Sequence, residues 1–280
     1  MFEHIVIAAH FSSANAPLFQ SLNELKERGT RELTLVDVLR AHHTEEQTEE
    51  HRRGAQTRLE EEKTELERAG FKVNIELRTG QPAHELSTIA RARGAALILI
   101  GSRGEHYFRE FMRGSTVLQL VRKTTTPVLL EPIEAETRKV SARGFGSLLL
   151  ATDFSSHAAE AETLALELGQ KARKLVLLHV VEEDEAEELG SEHAVSRGRE
   201  RLQKLAARAS GTPEPVIRVE QGQASRSIAR VAEEEGCTMM IIGKRGQSPV
   251  RELLLGSTAQ AVVRNATRSV LMVPAKLGRL

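Results

Sequence analysis

Short apolar runs alternate along this chain with longer stretches in which apolar residues return every three or four positions. The runs are 4–9, 32–38, 72–78, 95–100 and 127–131, then 147–151, 174–181, 215–220, 238–242 and 269–273. Most are continuous aliphatic segments, the pattern of parallel strands covered on both faces. The third run of each set alternates instead (Val73, Ile75, Leu77; Val216, Ile217, Val219), which suits an edge strand with one apolar face. Between the runs lie helical patterns at 14–28, 45–69, 82–93 and 115–123, and at 156–172, 186–209, 224–235 and 257–264. Strand–helix alternation of this kind predicts an α/β fold: parallel sheets, doubly wound, with right-handed crossovers.

The two sets are copies of one another. Gly101-Ser-Arg-Gly104 is followed by Gly114-Ser115-Thr116, and Gly243-Lys-Arg-Gly246 by Gly256-Ser257-Thr258, at the same internal spacing. The two motifs stand 142 residues apart, as do Val38 and Val180 at the ends of the second runs, while His10 and Asp153 stand 143 apart. A single repeat of this length is a whole domain, and about 140 residues suffice to bury a core. The chain therefore reads as tandem domains, 1–138 and 147–280, joined by a linker at 139–146 within a polar stretch that lacks either periodicity.

Composition narrows the function classes. Lysine plus arginine and aspartate plus glutamate both total 39, so there is no basic field for a nucleic-acid partner. Aromatics are 3% and tryptophan is absent, which argues against a base-stacking platform. Cys237 is the one cysteine and reads as a small apolar residue beside its strand. The glutamate-rich runs 44–50 and 182–188 read as solvated helix starts, and His42-His43 with Glu45-Glu46 is too loosely spaced for a metal set. No signal-type start and no apolar run of spanning length are evident, so a cytoplasmic setting without a membrane partner is expected.

The glycine motifs carry the chemistry. Parallel strands end at a carboxyl edge where loops gather around ligands. Glycine leaves no Cβ between backbone and ligand, and a helix opening after Gly114 or Gly256 exposes unpaired N–H groups to an anion. Ser115, Thr116, Ser257 and Thr258 add hydroxyl donors, residue types that plain helix capping also uses. Arg103, Arg113, Lys244 and Arg245 are phosphate-neutralising residues or ordinary surface charge. Neither a Walker loop nor a Gly-x-Gly-x-x-Gly fingerprint occurs.

Gly-x2-Gly-x9-Gly-[Ser/Thr], with Ala-Thr-Asp-Phe-Ser after the first strand and Leu-Leu-His-Val in the second, resembles the universal stress protein family in its ATP-binding branch and tandem form. The resemblance covers essentially the whole chain and implies five-stranded parallel sheets in the order 3-2-1-4-5, flanked by helices. It implies that Ala151, Thr152, Asp153 and Val180 hold adenine and ribose. Ile242, Gly243 and Gly246 would pass under ribose and phosphates, and Gly256, Ser257 and Thr258 would bind the phosphate chain of ATP with Mg2+ or Mn2+. The first-half counterparts are Ala9, His10, Val38, Gly101, Gly104, Gly114, Ser115 and Thr116. His10 replaces the carboxylate of Asp153, and one weakened hydrogen bond costs about 0.5–1.5 kcal/mol, so the second half is expected to bind more tightly.

No catalytic constellation accompanies these motifs: nucleotidyl-transfer, pyrophosphatase and hydrolase signatures are all absent. The reading is an ATP-binding nucleotide sensor or regulator in stress response, with at most weak ATP hydrolysis. The alternative is an interaction or scaffold module whose clefts hold another ligand or none. Fifth strands at sheet edges would be exposed unless covered. An internal pseudo-dimer of the two halves, with further homodimerisation, is the expected assembly.

Overall fold

The computed structural model describes residues 1–8, 16–39, 45–101, 115–132, 144–210, 213–246 and 255–275. They belong to two compact units, divided between Val140 and Ser141. In the first unit the strands are β1 (His4–Ala8), β2 (Glu32–Leu39), β3 (Lys72–Thr79), β4 (Leu97–Gly101) and β5 (Val128–Glu131). The described helices are α1 (Ala16–Glu27), α2 (Glu45–Arg68), α3 (Pro82–Ala92) and α4 (Ser115–Lys123). All described pairings are parallel, and the order is β3-β2-β1-β4-β5.

The second unit repeats this plan. Its strands are β6 (Ser147–Ala151), β7 (Lys174–Val181), β8 (Val216–Gln221), β9 (Met239–Gly243) and β10 (Ser269–Val273). They pair in parallel in the order β8-β7-β6-β9-β10, which is again 3-2-1-4-5. Its described helices are α5 (Ala159–Gly169), α6 (Glu183–Leu189), α7 (Ser191–Ala206), α8 (Ala224–Glu234) and α9 (Ser257–Arg264). The predicted fold class is the observed one.

The continuous apolar runs became central strands because they bury rows of aliphatic side chains. Ile5, Val6 and Ile7 of β1 and Leu148, Leu149 and Leu150 of β6 are all 0% exposed. Burial on both faces is what a central parallel strand requires. The alternating runs are the edge strands β3 and β8, both less deeply buried. Charge covers the β8 edge: Arg218 bridges Glu220, Glu234 and Glu235, and Arg230 bridges Glu220 and Glu234. Charged side chains on an edge discourage a further strand from adding there.

Two departures from the expected elements have local causes. The helical pattern at 186–209 is two helices, α6 and α7, broken at Gly190 with φ +79°, a left-handed value that glycine adopts freely. The helix expected from 156 begins only at Ala159, because residues 152–155 form a side-chain-braced turn (below). Gly144–Gly146, the end of the expected linker, is built into the second unit. Phe145 is 1% exposed, Thr238 Oγ1 donates to the Gly144 carbonyl at 2.7 Å, and the Arg173 N–H donates to Gly146 at 2.8 Å. Cys237 is fully buried, and burial pushes its thiol pKa up, as suits a core residue. Among the described residues no helix is long and apolar enough to cross a membrane.

Candidate nucleotide site

The second unit reverses its strand order at β6, which has β7 on one side and β9 on the other. Ala151, the last residue of β6, pairs with Ile242 near the end of β9, so their loops leave side by side. Such a switch point opens a crevice at the carboxyl edge.

The loop after β6 is held by its own polar side chains. The Thr152 N–H donates to the Leu178 carbonyl at 3.0 Å, continuing the ladder one residue past the strand. Thr152 Oγ1 donates to Glu162 Oε1 on α5 at 2.6 Å and accepts the Phe154 N–H at 2.9 Å. Asp153 Oδ1 accepts the Ser155 N–H at 3.0 Å. This turn drives Phe154 to φ 57°, the only positive φ among the described non-glycine residues. A bulky residue there carries strain of about 1–3 kcal/mol, which persists only where surroundings over-determine it. They do so here. The Arg201 guanidinium lies 4.2 Å from the Phe154 ring centroid and donates to its carbonyl at 3.2 Å, while the His179 ring sits 5.0 Å away.

The loop after β9 meets that turn. A Cβ at Gly246 would stand 2.4 Å from Asp153 Oδ2, and one at Gly243 would stand 3.1 Å from the Arg245 carbonyl oxygen and 3.4 Å from that of His157. Neither glycine is among the described residues with positive φ, so close approach explains them rather than backbone conformation. The loop returns to α9 through the Gly256 N–H, which donates to the Lys244 carbonyl at 3.1 Å. A Cβ at Gly256 would meet only ordinary contacts, at 3.7–3.8 Å. Gly256 is the residue before α9 and brings no side-chain cap, so the N–H groups of the first turn receive none from it. Burial, and then the Arg245 charge, lower the Lys244 ammonium pKa to about 8.

Asp153, Gly246 and Gly256 therefore converge at the carboxyl edge, with Ser257 exposed and Thr258 half-buried at the start of α9. Val180 lies at the same edge, two residues beyond the β7 residue that pairs with Ala151. The Thr152 side chain is turned inward and 6% exposed, and Ile242 is 4% exposed, so these two have only backbone to offer a ligand. Sequence reasoning assigned no role to Phe154, Glu162, His179 or Arg201. Their signals were a polar Thr152 at a strand end and a histidine inside an aliphatic strand.

In the first unit, Gly101 ends β4 opposite Glu131, Val38 lies near the end of β2 opposite Arg78, and Ser115 opens α4. Thr116 is buried at 6% exposed, so its hydroxyl is not presented at the surface. Ala9, His10, Gly104 and Gly114 lie outside the described residues, as do His42 and His43. Next to Val38 in β2, Asp37 is 5% exposed, with Arg58 at 3.8 Å and Glu62 nearby on α2. Among the described residues no group of three potential ligands is placed to hold a metal ion.

The two units thus share one doubly wound α/β plan with the strand order 3-2-1-4-5, and comparison with known proteins makes the class specific. The universal stress protein family profile matches residues 1–132 and again 144–274, so the chain belongs to that family, in tandem form. It is 34% identical over 135 residues to the Thermus aquaticus universal stress protein in the QAH/OAS sulfhydrylase 3′ region, a match spanning 46% of this chain and 98% of that protein. A universal stress protein of Methanocaldococcus jannaschii is 36% identical over 76 residues, 27% of this chain and 47% of that protein. The crystal structure of a universal stress protein from Archaeoglobus fulgidus shares the fold, with a TM-score of 0.74 at 22% identity over 97% of this chain and 96% of that one.

Proposed function

We propose that the second unit binds ATP at the crevice between the β6 and β9 loops, and that the protein is a nucleotide sensor or regulator with at most weak hydrolysis. The convergence of Asp153, Gly246 and Gly256 carries this reading. A carboxylate suits ribose hydroxyls, the glycines of the β9 loop let backbone approach the phosphates, and the opening turn of α9 offers N–H donors to an anion. Lys244 and Arg245 supply positive charge on the same loop. Mg2+ or Mn2+ would be carried chiefly by the phosphates, the usual arrangement for a hard ion that keeps several waters.

The first unit binds the same nucleotide more weakly in this reading, His10 replacing a carboxylate with an imidazole. The two units form an internal pseudo-dimer, which dimerises further, in a cytoplasmic setting. Acid extraction of the freshly purified chain, followed by chromatography of the released small molecules, tests the ligand assignment. Recovery of an adenine nucleotide supports it; recovery of a different ligand class favours the interaction-module alternative.

A further inference from the structure

The geometry points to His179 as a proton-carrying positioning residue that links the acidic helix α6 to the nucleotide loop, so that nucleotide affinity depends on a proton held between His179 and Glu185. This rests on the site assignment above and adds its regulation.

His179 is 3% exposed, and both ring nitrogens are engaged. Nδ1 lies 2.9 Å from the Thr152 carbonyl oxygen and Nε2 lies 3.3 Å from Glu185 Oε2. A carbonyl oxygen only accepts, so Nδ1 carries a hydrogen. A neutral ring would then turn the Nε2 lone pair toward a carboxylate oxygen, which also only accepts when ionised. The arrangement is attractive only with one more proton, on Nε2 or on Glu185. With it, α6, His179 and the Thr152 carbonyl form one connected row; without it, Glu185 and the ring repel.

Among the described residues packed against the ring, none replaces that proton. Helix α7 meets it with Gly198, where a Cβ would come 2.7 Å from His179 Cδ2, so this face is filled by backbone. The charge from α7, Arg201, lies over Phe154 and binds its carbonyl. On the α5 side Glu162 is engaged with Thr152 Oγ1. The row ends at the residue before Asp153, in the strained turn that aims the carboxylate, so its integrity is transmitted to the ribose position.

In the sequence, the first half carries opposite residue types at the positions one repeat earlier. Asp37 stands 142 residues before His179, His43 stands 142 before Glu185, and His10 stands 143 before Asp153. Acid and imidazole are exchanged at all three. Asp37 has Arg58 at 3.8 Å, a partner that needs no added proton.

The test compares the full chain with Glu185→Gln, whose amide N–H can donate to a neutral Nε2 and so hold the row without the proton. Affinity for Mg-ATP is measured by calorimetry from about pH 6 to about pH 9. Taking the ratio of the two Kd values removes the nucleotide's own titration. Relative to the variant, the unsubstituted protein is expected to weaken about threefold to tenfold as pH rises, the loss of one hydrogen bond. A ratio constant with pH overturns the proposal. Long-range 1H–15N spectra of the ligand-free chain, with His179→Asn assigning the ring signals, provide a readout that needs no nucleotide. They should show Nδ1 protonated; a bare Nδ1 overturns the brace. If neither protein binds nucleotide, the site assignment fails and the ring signals alone decide the brace.

Discussion

Gly246 stands against the carboxylate of Asp153, so that a Cβ at position 246 would lie 2.4 Å from Asp153 Oδ2. The other carboxylate oxygen is tied to the Ser155 N–H at 3.0 Å, so the group cannot simply rotate away. The substitution Gly246→Ala is therefore expected to displace Asp153 and to weaken ATP binding about tenfold, comparable to or beyond the loss of one hydrogen bond. Gly256→Ala meets only ordinary contacts and should have a smaller effect. Calorimetric titration of the two variants side by side checks the ordering.

Thr152 is a brace more than a ligand group. Replacing it with valine removes the donor to the buried Glu162 and the acceptor for the Phe154 N–H. Leaving buried polar groups unpaired costs about 1–3 kcal/mol, so Thr152→Val should lower stability in denaturant unfolding by that amount. Thr152→Ser keeps the hydroxyl and should recover most of it.

Glu62 has its carboxyl pKa raised to about 8, by burial first and then by the charge of Asp37, and its Oε2 is buried without a hydrogen-bond partner. The folded state thus binds more protons here than the unfolded chain, in which a glutamate titrates near its ordinary value of 4.5. Stability from this group is fully present below about pH 4.5 and lost as pH rises through about 8. Unfolding measured across that window should show Glu62→Gln gaining on the unsubstituted protein as pH rises, with a slope approaching ~1.4 kcal/mol per pH unit.

Lys244 behaves in the opposite sense. Its folded pKa is lowered to about 8 from the ordinary 10.5, by burial and then by Arg245, so between those values the unfolded chain holds more protons. Its unfavourable contribution is present below about pH 8 and is relieved as pH rises toward 10.5. Lys244→Met should accordingly be more stable than the unsubstituted protein at neutral pH, with an advantage that shrinks above pH 8 in the same unfolding assay.

Much of this architecture was legible because parallel strands buried on both faces need unbroken aliphatic rows. β1, β4, β6, β7 and β9 announced themselves, and alternation marked the edge strands β3 and β8. The break at Gly190 was not legible, since a glycine in a helical pattern signals a break only when its φ is known. Within the site, the glycines and Asp153 stood out from their spacing, but the reason for Gly246 is a carboxylate distant in sequence, not its own backbone angle. The turn at Phe154 and its Thr152–Glu162–His179 support were invisible for the same reason. Their partners come from α5 and β7, and no local periodicity encodes contacts between separate elements.

The central claim is that the second crevice grips a nucleotide through Asp153. Calorimetry of the intact chain with ATP and Mg2+, repeated with Asp153→Ala, tests it most directly. A binding isotherm is expected whose tighter phase weakens about threefold to tenfold in the variant. No heat of binding in the unsubstituted chain, or an isotherm that Asp153→Ala leaves unchanged, would contradict it.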